Sequence, residues 1–162
     1  MRQAAAPGER NRMKRIACAF PLLLLSACAT TSTVQQQHAP APGLAYAYTF
    51  ENNGGDDLAG IARLARIVQE RLVDAGLLAE AATANGRVEV ELTHYYVRAD
   101  ATRFLAGILA GRDRITSQVT VLDASGNRFG RFEVDTTNLT AWGSKDGLME
   151  AHAEEIVTRL KH

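Results

Sequence analysis

Cysteine is nearly absent from this chain: 162 residues contain two, Cys18 and Cys28. A disulfide framework is therefore not what holds it together. A surplus of positive charge is missing as well, since 18 basic residues face 18 acidic ones. Five of those basic residues (Arg2, Arg10, Arg12, Lys14 and Arg15) and only Glu9 among the acidic ones fall within the first 28, so the remainder is mildly acidic. Such a surface releases no counterions from phosphate, which excludes nucleic acid as a partner. Long apolar runs are lacking too. The stretch ending at Leu25 is much shorter than the roughly 20 residues that span a bilayer, so a permanent transmembrane helix is not expected. The four histidines, at 38, 94, 152 and 162, form no His-x-x-x-His pair, and no metal site is assigned. No Gly-Lys-Ser/Thr follows the glycines at 107 and 111, and no nucleophile elbow is present, so neither a cofactor nor a catalytic residue is assigned.

What the chain does have begins at Met13. "MKRIACAFPLLLLSAC" sets two cations before an apolar run and then small residues before a cysteine. This is the three-part plan of a secretory signal, and it makes Met13 a more natural start than Met1. Leu25-Ser26-Ala27-Cys28 resembles the lipobox of bacterial lipoproteins. The resemblance implies that signal peptidase recognises Leu25, Ser26 and Ala27 and cuts before Cys28. It also implies that the thiol takes a diacylglycerol and that the freed amine receives a further acyl chain such as palmitate. Cys18 leaves with the leader, so the mature protein keeps no thiol for catalysis. Ala at position 29, where Asp would retain the protein at the inner membrane, implies passage to the outer membrane.

After Cys28 comes "ATTSTVQQQHAPAPG", uncharged and almost without large apolar residues. By composition, 28–43 is a lipidated cysteine followed by a flexible tether, and 44–162 is the periplasmic domain. Period-two alternation of Leu44, Tyr46, Tyr48 and Phe50 predicts a strand. Asp57 caps a predicted helix with Leu58, Ile61, Ala65, Val68 and Leu72 on its apolar stripe, which Gly76 closes. A second strand alternates Val88, Val90, Leu92, His94 and Tyr96 inward, which makes His94 a core histidine. "RITSQVTVLD" and "RFGRFEVD" form a hairpin across Ser125-Gly126-Asn127. The final helix, from about Asp146 to Leu160, carries Met149, Ala153, Ile156 and Leu160 on one stripe. His152 is read as a solvated partner of Glu155, one turn later. The order predicts an α/β (α+β) fold, a two-layer sandwich of a four-stranded mixed sheet with two helices on one face.

Residues 98–114, "RADATRFLAGILAGRDR", stand out for an uncharged stretch between Arg103 and Arg112. Phe104, Leu105, Ile108 and Leu109 either cover one end of the core or form an apolar tip that touches lipid or a partner groove. With the strand and turn that follow, this stretch resembles an uncharacterised family of small bacterial lipoproteins over roughly residues 87–160. That resemblance implies the fold and an envelope location, and marks Arg103, Gly107, Gly111 and Asp123. Trp142 either anchors its connection against the core or stands at a binding rim. Glu89 and Glu91 share a wet strand face, where carboxylates are usually solubilising.

The expected function is a non-enzymatic binding or assembly component of the envelope, held in the outer membrane by a lipid anchor and partnered by another envelope protein. An envelope enzyme acting on cell-wall or lipid substrates is the alternative, as is a structural subunit of a transport or secretion complex. An enzyme would gather two or more of Glu89, Glu91, His94, Asp100 and Asp123 in a cleft. Expressed from its gene, the native chain should gain the mass of about three acyl chains and fractionate with the outer membrane, and Cys28→Ala should lose both. Intact mass and fractionation decide it, and a soluble, unmodified native form would refute the anchor.

Overall fold

The computed structural model describes residues 28–37, 43–98, 112–138 and 144–162, without the side chain of Cys28. The leader with Leu25, Ser26 and Ala27 lies outside the described residues, as do 99–111 and Trp142. Five strands, β1 (Cys28–Gln36), β2 (Tyr46–Asn52), β3 (Gly86–Tyr96), β4 (Asp113–Asp123) and β5 (Arg128–Asn138), form one sheet in the order β1-β5-β4-β3-β2. Helix α1 (Leu58–Asp74) follows β2, and α2 (Lys145–Lys161) follows β5. Both lie on one face of the sheet, and the two-layer mixed arrangement is the expected one.

One strand more is present than expected. Residues Cys28–Gln36, assigned to a tether by composition, pair antiparallel with β5 from Cys28↔Asn138 to Gln36↔Arg131. The compositional argument asks whether side chains can bury enough surface. An edge strand needs less, because its backbone bonds to a neighbour already in place and its Thr and Val residues suit a pleated, half-buried site. Ser32 also reaches α2, donating to Glu155 Oε1 at 2.6 Å.

The β2-α1-β3 unit forms as expected, with β2 and β3 parallel in register from Tyr46↔Gly86 to Asn52↔Leu92. Asp57 accepts from the Gly60 N–H at 3.1 Å and caps α1. Gly76, in the left-handed region at φ 68°, closes it. Buried Ile61, Leu64, Ile67, Val68 and Leu72 face the sheet. Leu58 does not join them: at the first position of the helix it is 72% exposed.

In β3 the expected alternation fails near its end. A register shift between Leu92 and His94 inserts one residue, so His94 is exposed and Tyr95, expected outside, is buried. A bulge reverses the faces of every residue beyond it. His94 is therefore not a core histidine. The β4–β5 hairpin turns at Gly126, φ 82°, where Asp123 Oδ1 accepts from the N–H of Ser125 at 2.8 Å and of Asn127 at 2.9 Å. Those bonds, the Asn127 backbone first, hold the Asp123 carboxyl below its usual range.

The helix-covered face is apolar, with Val88, Val90, Leu92, Ile115, Val119, Val121, Phe132 and Val134 against Leu64, Val68, Leu148, Met149, Ile156 and Leu160. One polar joint interrupts it. His152 on α2 is fully buried: Nδ1 lies 2.9 Å from Thr136 Oγ1 and Nε2 lies 2.9 Å from Ser117 Oγ. Its reading as a solvated partner of Glu155 is corrected, because Glu155 pairs with Arg159 at 2.9 Å instead. Burial pushes the imidazole down to about 3, and the nearby Asp135 carboxylate opposes this only in part.

A histidine kept neutral in the fold takes up protons more readily in the unfolded chain. Between pH 6.5 and about 3 the unfolded state therefore binds more protons at this site, and stability rises with pH. Acidification through that window should cost about 1.4 kcal/mol per pH unit from this group. Urea titrations across the window should show His152→Gln with a flatter pH dependence than the native chain, and identical slopes would show that His152 does not carry it.

Candidate functional site: the sheet end that carries Cys28

The strand pairing gathers one set of termini at one end of the sheet. Cys28 opposes Asn138, Asn138 opposes Asp113, and Arg114 opposes Tyr96. The chain after β2 runs on along β3, with the Tyr95 N–H bonded to the Gly54 carbonyl at 2.8 Å. That path brings the start of α1 to the same end. The start of α2, soon after Asn138, lies there too.

This end is held by a buried ion pair. The backbone N–H and Nε of Arg98 both donate to Asp113 Oδ1 at 3.0 Å, with both side chains almost wholly shielded. The connection between β3 and β4 thus leaves and returns at a fixed point. Removing one partner from such a pair strands the other charge in low dielectric, which makes the pair a lock on geometry rather than a gain in stability. Beside it Tyr95 is buried against the first turn of α1, where its hydroxyl oxygen and Asp57 leave no room for a Cβ at Gly60. Burial, then the Asp57 and Asp113 charges, push the Tyr95 hydroxyl up to about 12.

Of the sequence-assigned contact residues, Arg112 stands exposed at the entrance to β4. Arg103, Phe104, Leu105, Ile108 and Leu109 lie outside the described residues, as do Gly107, Gly111 and Asp100. Cys28 is placed by its backbone at the first position of β1. Asp123 sits at the opposite end, occupied in its turn.

The carboxylates Glu89 and Glu91 project from the sheet face that neither α1 nor α2 covers, with Glu51 opposite Glu91. Asn53 Nδ2 donates to Glu91 at 3.1 Å, and Arg87 pairs with Glu89 at 3.5 Å. His94, beyond the bulge, opposes Thr116 on that face. Among the described residues, cavities of about 120, 450 and 320 Å³ lie toward the end away from Cys28, and of Glu89, Glu91, His94 and Asp123 it is Asp123 that lines one of these.

Sequence reading missed the one Ser-His contact. His152 stands three residues after Met149 and four before Ile156, so the spacing had already put it on the apolar stripe. Its partners come from β4 and β5 and could be found only by folding. Ser117 and His152 are both fully buried. Asp135, next to Thr136 in sequence, points to the other sheet face, where it accepts from Arg114 at 2.6 Å and Thr116 at 2.9 Å. The contact joins α2 to the sheet, with no carboxylate orienting the imidazole.

Among the described residues no helix is long and apolar enough to cross a membrane. No curated protein matches the chain. Solved structures share its fold, two of them PelC assemblies. One is a PelC dodecamer from Paraburkholderia phytofirmans that carries a single leucine-to-methionine substitution, with TM-score 0.59 and 15% identity over 81% of this chain and 98% of that one. The other, a PelC dodecamer from the same organism, has TM-score 0.59 and 10% identity over 83% of this chain and 98% of that one. A protein of Caulobacter crescentus CB15, described as a candidate lipoprotein, aligns over 69% of this chain and 87% of that one at 19% identity, and its TM-score of 0.38 is too low to carry an argument. Residues 59–141, just over half of the sequence, match the family described as a domain of unknown function, DUF4410, and the chain belongs to that family.

Proposed function

We propose that the protein is a lipoprotein of the outer membrane, anchored by acyl chains on Cys28, whose domain binds protein in the periplasm and catalyses no reaction. Its first partner is a further copy of the same chain. The observation that carries this reading is the exposure of two unlike strand edges, β1 and β2, at the two sides of one sheet. Contact between unlike surfaces is heterologous, and copies joined that way close into a ring when the rotation fits.

The β2 edge is open only in part, since Tyr46 bonds on its outer side to the Leu77 carbonyl at 2.7 Å and to the Ala79 N–H at 2.9 Å. Beyond it, Tyr48 and Phe50 turn backbone groups the same way, by the alternation of a strand. The uncovered face between the edges is polar and largely bonded within itself. Gln118 donates to the Phe132 carbonyl at 2.7 Å, and Gln35 donates to Gln118 Oε1 at 3.1 Å. Such a face suits a wetted contact rather than a reaction cleft. The shared fold with a dodecameric protein supports self-assembly, and the lipobox resemblance of Leu25-Ser26-Ala27-Cys28 supports the anchor. Arg103, Phe104, Leu105, Ile108, Leu109 and Arg112 add contact with the membrane or with the partner.

The acylated protein, purified in mild detergent, should run in native mass spectrometry as one discrete assembly of several copies. A single copy at every concentration would overturn self-association.

A further inference from the structure

A tether of fifteen residues would let an anchored domain wander about 20 Å from its attachment point. The structure removes that slack. Cys28 is itself the first residue of β1 and is paired with Asn138, followed by Ala29 with Thr137 and Thr30 with Thr136. Chains attached at Cys28 therefore pull on the sheet directly. The far end of the sheet, the β4–β5 turn at Ser125, lies the length of an eleven-residue strand away, about 35 Å.

The Cys28 end carries unused apolar surface. Among the described residues four large hydrophobic side chains are exposed: Val34, Leu58, Val73 and Tyr96. Leu58, at 72%, begins α1, and Tyr96, at 48%, ends β3, so both stand at the Cys28 end, one on the helix side of the sheet and one on the uncovered side. Their backbones are well fixed, by the Asp57 cap and by pairing with Arg114. A leucine and a tyrosine at the same end of the sheet as an acylated residue, across β5 and β4 from it, have the chemistry of an interfacial contact, the leucine wholly apolar and the tyrosine an apolar ring with a polar tip at headgroup depth.

We infer that the end of the sheet carrying Cys28 lies directly on the lipid bilayer, with Leu58 and Tyr96 in the headgroup layer and the strands running away from the membrane. This rests on the lipid anchor at Cys28 and adds the orientation of the domain and the residues that touch lipid.

The acylated mature chain keeps no other thiol, so Leu58→Cys, Tyr96→Cys and Ser125→Cys each give one labelling site, all at exposed positions. Each variant is acylated in cells, purified, labelled with an environment-sensitive fluorophore and reconstituted into phosphatidylethanolamine/phosphatidylglycerol vesicles containing a headgroup nitroxide lipid. Intact mass is read on the same samples. With Cys28 acylated, labels at 58 and 96 should be quenched at least about twofold more than the label at 125. Equal quenching on an acylated protein overturns the orientation and leaves the anchor standing. Labels at 58 and 96 that shift to the blue without being quenched place a protein there instead of lipid and overturn it as well. A chain without acyl mass removes the anchor and the orientation together.

Discussion

A sheet covered by helices on one face alone must satisfy its other face without a core, and that constraint organises this molecule. On the covered side the solution is apolar, with valines and leucines of β3 to β5 packed against α1 and α2. On the open side it is a lattice of side chains that bond to one another and to the backbone. Gln118 and Thr116 are almost wholly shielded although no helix lies over them. Because each is bonded, shielding them costs little, whereas an apolar residue there would leave the Asp135 carboxylate and the Phe132 carbonyl without these donors. The same constraint explains β1: adding an edge strand shields β5 and supplies Gln35 to the open-side lattice.

The covered side buries polarity too. His152, Ser117 and Thr136 close a three-residue network between α2, β4 and β5. An imidazole with a partner on each nitrogen fixes one rotation of α2 against the sheet, which an all-leucine contact would leave loosely specified. The Arg98–Asp113 pair acts likewise at the Cys28 end, where it sets the spacing of β3 and β4 as they leave the sheet. Neither has the solvent access that chemistry on an external substrate needs.

How far the sequence discloses this follows from what each element depends on. Strand β2, helix α1 and the β4–β5 hairpin were legible because local signals agree: alternation at Tyr46 and Tyr48, the Asp57 cap, and the glycine at 126. The end of β3 was misread because a bulge leaves no mark in composition, and one inserted residue exchanges His94 for Tyr95. Strand β1 was read as a tether because its stability comes from β5 and not from its own side chains. Leu58 fits the helical stripe by spacing, yet the first residue of a helix overhangs the core. Of the candidate site, the cysteine motif was visible in four consecutive residues. The gathering of Leu58, Tyr96 and Cys28 at one end belongs to topology alone.

The pairing of Cys28 with Asn138 also sets an order in time. Strand β1 comes first of the five strands in the chain, and its partner β5 comes last. A contact of such long sequence separation closes late, since the loop entropy is repaid only when the intervening strands are in place. Until then the segment that begins at Cys28 stays free of the sheet. Completion of the sheet is thereby left to the strand that comes first among the five, so the edge that β1 forms is the last part of the sheet to be closed.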